Sequence, residues 1–246
     1  MGLRNHVWGN VHRWFDRFLR QQNNGVDTEQ RVSMAVKLDQ QRDSFSDWPS
    51  TEIKDSSFYL HERGWFSNGS LRSYANTSGG RDVFYSGILS GATAGVPIVS
   101  SIFEARLALP IVTYLPTMNR LLSVVHESNA FNSTQKIRGI PMLDIWLRSS
   151  HRSYQTVAYL YSVDPFGFGT LITHGPVTIH NGNANQDRFV HIEMIATAYD
   201  LPAGHKLALA LDNYDPQYSP PHLNAYEVNV VYGANRVSKL TLPVRR

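Results

Sequence analysis

Thr197-Ala198-Tyr199-Asp200-Leu201-Pro202-Ala203-Gly204-His205-Lys206-Leu207-Ala208-Leu209-Ala210-Leu211-Asp212 is the stretch whose reading decides the fold. One run ends near Tyr199, a turn follows through Leu-Pro-Ala-Gly-His, and a second run leaves with Leu207, Leu209 and Leu211 on one face. Pro202 presets its φ for a turn, and Gly204 can take the left-handed backbone that a Cβ disfavours. The stretch reads as a β-hairpin of an all-β domain. The same alternation recurs outward from it: Val157, Tyr159, Tyr161 and Val163 share one face, and Val190, Ile192, Met194 and Ala196 share another. Strands are expected near 32–38, 57–61, 122–126, 141–147, 156–163, 177–180, 189–199, 206–211, 225–232 and 237–242. Short strands separated by turn residues are the pattern of a sandwich or barrel.

Bulk properties agree with that class. Apolar residues outnumber charged ones, 42% against 17%, which describes an ordered globular chain. Its 246 residues can bury a core as one large β domain or two small ones. The formal charge of +3 is small, and no basic stripe is interleaved with aromatics, so nucleic acid is not an expected partner. Absence of cysteine excludes disulfides and thiolate metal sites and fits a reducing compartment. With no apolar leader in this chain, the cytoplasm is the favoured compartment. The longest uncharged run, 83–103, is broken by Gly87, Gly91, Gly95 and Pro97. It reads as a glycine-rich loop with two short buried strands, not as a membrane span.

Only the first segment reads as a helix. Trp8, Val11, Phe15, Phe18 and Leu19 recur at three- and four-residue spacing, and Asn23-Asn24-Gly25 stops the pattern. So aromatic a stripe needs a partner surface. Residues 68–121 are rich in glycine and serine and read as a long excursion with short strands of its own.

The residues of catalysis do not assemble in the sequence. Gly-x-Ser-x-Gly, the nucleophile elbow of an α/β-hydrolase, is absent; Gly87-Ile88-Leu89-Ser90-Gly91 has the wrong spacing. Ten histidines are dispersed without a metal-ligand spacing, so neither a metal nor another cofactor is expected, although a site assembled in three dimensions stays open. Asp144, Asp164, Asp200, Asp212 and Asp215 lie at strand ends and turns, where carboxylates cap backbone amides.

Ordered landmarks carry a resemblance. Trp14-Phe15-Asp16-Arg17-Phe18-Leu19 with Asn24-Gly25-Val26, then Trp48-Pro49 with Phe58-Tyr59-Leu60 and Gly64, follow one another. Ile137-Arg138-Gly139-Ile140-Pro141, the 156–163 run, Asp164-Pro165, Gly169-Thr170-Leu171-Ile172 and Gly175 come next, ahead of Leu-Pro-Ala-Gly-His. Together they resemble the C-terminal β-sandwich of the X-Pro dipeptidyl-peptidase and cocaine esterase family of serine hydrolases. The resemblance implies a mainly β, galactose-binding-like jelly-roll sandwich over residues 26–246, with residues 1–25 as the last helix of an α/β-hydrolase domain. It implies an accessory domain that is not catalytic alone, packs on a catalytic domain and helps to wall the substrate pocket. Trp8, Val11, Phe15, Phe18 and Leu19 would face that domain. Trp146, Tyr159, Tyr161, Phe166 and Phe168 are the aromatics considered for the pocket surface; Trp146, Phe166 and Phe168 are retained, the last two because they sit on a turn. The competing readings are a free-standing carbohydrate-binding sandwich and an oligomerisation module pairing through the helix stripe.

Overall fold

Alternation of apolar and polar residues becomes strand through most of the chain. A computed structural model describes residues 6–39, 41–95, 109–220 and 224–246. Its helix is α1 (His6–Phe18). The strands are β1 (Val32–Ala35), β2 (Arg42–Phe45), β3 (Ile53–His61), β4 (Gly69–Arg72), β5 (Gly80–Tyr85), β6 (Val112–Tyr114), β7 (Ser123–Glu127) and β8 (Gln135–Gly139). They continue as β9 (Met142–Ser149), β10 (Tyr154–Val163), β11 (Phe168–Ile179), β12 (Arg188–Glu193), β13 (Thr197–Leu201), β14 (Lys206–Asp212), β15 (Glu227–Tyr232) and β16 (Lys239–Arg245). The chain divides into two units: one holds the described residues up to Met34 together with Arg42–Ser50, the other Ala35–Gln41 and Thr51–Arg246.

In the smaller unit the helix stripe lies open. Trp8, Phe15, Phe18 and Leu19 are all exposed, and Trp14 joins them with its ring 4.6 Å from Phe18 and 5.7 Å from Phe15. Its polar side is tied down instead. Arg17 pairs with Asp27 at 2.6 Å, Arg13 with Glu29, and Asn24 Nδ2 donates to the Arg13 carbonyl at 2.6 Å. Gly25, at φ +75°, makes the turn that sends the chain back along the helix.

The larger unit is a mainly β sandwich. Its strands run in the order β5-β15-β9-β16-β3-β4-β7-β14-β10-β11-β6, with β12 on β9, and β8 joining β13 to β16. Neighbours are antiparallel except for the short parallel pair β4–β7. Strands β10 and β14 are central and buried on both faces. Ala158, Leu160, Leu207, Leu209 and Leu211 enter the larger core, while Val157, Tyr159, Tyr161, Ala208 and Ala210 enter a second one. The register places Tyr159 opposite Ala210 and Tyr161 opposite Ala208, so each large ring faces a methyl group. That pairing of large with small fills the second core.

Three expectations change. The Thr197–Asp212 stretch is not a hairpin: β13 pairs with β8, whereas β14 pairs with β10 and β7. The turn is present, with Gly204 at φ +83°, but it carries the chain between two different strand neighbourhoods. The 189–199 run is broken into β12 and β13, because Met194 and Ile195 bond to the Pro141 and His174 carbonyls and leave the ladder. Gly175 permits that crossing, since a Cβ there would sit 2.7 Å from the Glu193 carbonyl oxygen. Within the expected 68–121 excursion, β4, β5 and β6 belong to the main sheet. Of the 83–103 run, Val83–Tyr85 lies in β5, residues 86–95 form no strand, and the remainder lies outside the described residues, as does most of the 103–109 stretch.

Candidate functional site

The Leu-Pro-Ala-Gly-His turn leads to a cavity of about 500 Å³, lined in part by Gly204 and Lys206. Two loops supply its rim. The first, between β3 and β4, carries Trp65 and Phe66, which are 95% and 100% exposed. Glycines stand at both ends of that segment, Gly64 and Gly69. Arg120 holds the loop from outside, donating to the Gly64 carbonyl at 3.1 Å, the Ser67 carbonyl at 2.9 Å and Asn68 Oδ1 at 3.0 Å.

The second loop joins β10 to β11. Asp164 Oδ1 accepts from the Phe166 and Phe168 amides, both at 2.9 Å, and Gly167 takes φ +94°. These bonds project Phe166, which is 79% exposed and lines the same cavity as Phe66. Phe168 turns away, with its ring 4.9 Å from Tyr114. Behind the rim, Glu127 receives Asn68 Nδ2 at 2.6 Å and pairs with Lys206 at 3.2 Å. Leu115, Pro116, Met118 and Val125 supply apolar wall. The site is thus an aromatic rim over a mixed floor, in which Glu127 and Lys206 pair with each other and Arg120 and Asp164 engage loop groups.

Trp146 is elsewhere. It stands half-buried on the face of β9 opposite Leu143, Ile145 and Leu147, with its ring 5.6 Å from Phe189 of β12. Tyr159 and Tyr161 are fully buried and present no surface. Phe66 and Trp65 are the residues that sequence reading missed; two aromatics between two turn glycines were the available signal, the same one that drew notice to Phe166.

No nucleophile emerges among the described residues. Ser90 is buried and donates to Asp212 Oδ2 at 2.6 Å, with no histidine between them. Ser162 meets His205 Nδ1 at 3.0 Å, yet the serine is sealed in β10 and His205 pairs with no carboxylate among the described residues. No group of three or more His, Cys, Asp or Glu among the described residues is placed to hold a metal ion. No helix among them is long and apolar enough to cross a membrane.

No curated protein matches the chain. Among solved structures it is similar to an aminopeptidase from a marine sediment Thaumarchaeota archaeon, with a TM-score of 0.73 and 12% identity over 96% of this chain and 44% of that one. It is similar to a CocE/NonD family hydrolase from Staphylococcus aureus, with a TM-score of 0.69 and 12% identity over 96% of this chain and 45% of that one. An alpha-amino acid ester hydrolase gives 0.70 at 14% identity, over 96% and 44%. At these identities the likeness is one of fold, and the chain spans less than half the length of each of these proteins. Residues 24–239 match the family model of the X-Pro dipeptidyl-peptidase C-terminal non-catalytic domain. The chain belongs to that family, an accessory domain of hydrolases.

Proposed function

We propose that this domain packs on an α/β-hydrolase catalytic domain of the same polypeptide, and that the Phe66 and Phe166 loops wall that domain's substrate pocket. The observation that carries the reading is the pair of exposed aromatic tips on hydrogen-bonded loops around one cavity. Large rings held in water on fixed loops mark a contact surface and lose little freedom on docking. Covering them would exclude water from a reacting amide or ester next to the rim. The solved neighbours described as an aminopeptidase and an amino-acid ester hydrolase support amide or ester hydrolysis as the reaction class. The serine nucleophile would come from the catalytic domain; this chain supplies shape and apolar surface. Trp8, Val11, Phe15, Phe18 and Leu19, with Trp14, form a second surface for the same domain.

The test uses protein expressed with the reading frame that precedes Met1. Phe66→Ala combined with Phe166→Ala is expected to lower kcat/KM for aminoacyl esters or anilides by about tenfold or more, with Tm unchanged. An unaltered kcat/KM would remove the pocket role. An upstream frame encoding no hydrolase would remove the partner. Self-association through α1 is the competing use of the second surface, and concentration-dependent dimerisation abolished by Phe18→Glu would favour it.

A further inference from the structure

A second cavity, of about 460 Å³, opens where β10 begins, β11 ends and the chain passes from β14 to β15. Its size falls within the usual range for small-molecule sites, about 300–1,000 Å³. Among the described residues, none of its lining side chains is Lys, Arg, Asp or Glu. Gln155 and Asn213 lie against it, and Tyr154 and Tyr226 contribute rings. Thr178 of β11 and His180 just beyond it stand exposed at its edge.

What distinguishes this place is unmet hydrogen-bonding capacity. Asn213 is 5% exposed, and neither its Nδ2 nor its Oδ1 bonds to any described group; Gln155 is 8% exposed with its Nε2 likewise unpaired. These three are among the eight unpaired buried side-chain atoms of the described residues; the chain neighbours Thr156 Oγ1 and Asp212 Oδ1 are also unpaired but do not line the cavity. Buried polar groups are almost always satisfied, and leaving several together is costly. A primary amide with both donor and acceptor open matches a pair of adjacent hydroxyl groups, each of which gives and receives one bond. Tyrosine rings suit the C–H faces of a sugar, and the uncharged lining disfavours an ionic ligand.

We propose that this cavity binds a neutral sugar ring, with Asn213 and Gln155 engaging vicinal hydroxyls and the Tyr154 and Tyr226 rings against its apolar face. The site shares no lining residue with the Phe66–Phe166 cavity. The test is saturation-transfer NMR on the 246-residue chain, titrated with D-glucose, D-galactose and N-acetyl-D-glucosamine, with N-acetylglycinamide as a non-sugar amide. Saturable millimolar binding of at least one sugar is expected, weakened about tenfold or more by Asn213→Leu. Because the Asn213 amide has no internal partner, the same substitution should leave Tm unchanged or raise it. Three results overturn the proposal: no saturable sugar binding into the high millimolar range, binding retained by both Asn213→Leu and Gln155→Leu, or a fall of several degrees in Tm for Asn213→Leu. Tighter binding of N-acetylglycinamide than of every sugar would overturn the ligand class.

Discussion

Two buried carboxylates in the same sandwich meet opposite environments. Asp82 of β5 receives the Tyr232 hydroxyl at 2.7 Å and the Arg63 backbone amide at 3.2 Å to each oxygen, and the Arg63 guanidinium lies 3.8 Å away. His126 Nε2 is 3.6 Å from the same carboxylate. Asp212 at the end of β14 receives Ser90 Oγ at 2.6 Å, and no Lys, Arg or His among the described residues forms an ion pair with it. Burial, reinforced by the charge of Asp215, raises the Asp212 pKa well above the ordinary carboxylate value, against the pull of the Ser90 bond. Asp82 sits among two donors and a guanidinium; Asp212, with a second carboxylate nearby, has its neutral form favoured by burial. Burying a charge without a partner is the more expensive course, so the two solutions answer the same desolvation cost.

The largest expected effect comes from breaking the matched site. Asp82→Ala leaves Arg63 facing no carboxylate and strips an acceptor from Tyr232, and should cost roughly 3–5 kcal/mol in denaturant titration. A loss below about 1 kcal/mol would mean that the Arg120, Ser123 and Val83 carbonyls, which Arg63 also engages, suffice for its charge. The next effect tests the Asp212 site through its neighbour Asp215. Tyr159 donates to Asp215 Oδ2 at 2.9 Å, as does the Ala94 amide at 2.7 Å, while the Gln217 amide reaches Oδ1 at 2.8 Å. Tyr159→Phe removes one of these bonds with little change in shape, and should cost about 2 kcal/mol. An unchanged midpoint would show that the two backbone amides hold Asp215 unaided.

Neither carboxylate's environment was legible from its own neighbourhood. Asp82 lies in Gly-Arg-Asp-Val-Phe-Tyr, which shows little alternation, and its partners come from positions 63, 126 and 232. Turn chemistry was legible: Asp164 and Gly167 act as their residue types suggest, and Gly204 has the backbone its turn requires. Pairing was not, because alternation fixes which face a residue takes but not which strand lies alongside. The Leu-Pro-Ala-Gly-His turn serves a crossing between strand neighbourhoods as well as it would serve a hairpin. Short strands such as β8, where only Ile137 is apolar, carry too little pattern to be seen. Gly175 decides the break after β12, yet it belongs to β11.

The finest test of the Asp212 site is its response to pH. Unfolded Asp212 ionises near the ordinary value of 3.8, whereas in the fold its proton is held to higher pH. Between those two values the native state binds more protons than the unfolded state, so this residue's contribution is fully present below 3.8 and declines as pH rises through the folded pKa. Asp212→Asn removes that slope. The amide oxygen can still accept from Ser90, while its new N–H groups enter a place with few acceptors, which offsets much of the gain. A net stabilisation on the order of 1 kcal/mol at pH 8, vanishing or reversing at pH 4, is therefore expected from urea midpoints of the two proteins. Parallel pH profiles for wild type and Asp212→Asn would mean that Asp212 stays ionised in the fold, and the contrast with Asp82 would then rest on geometry alone.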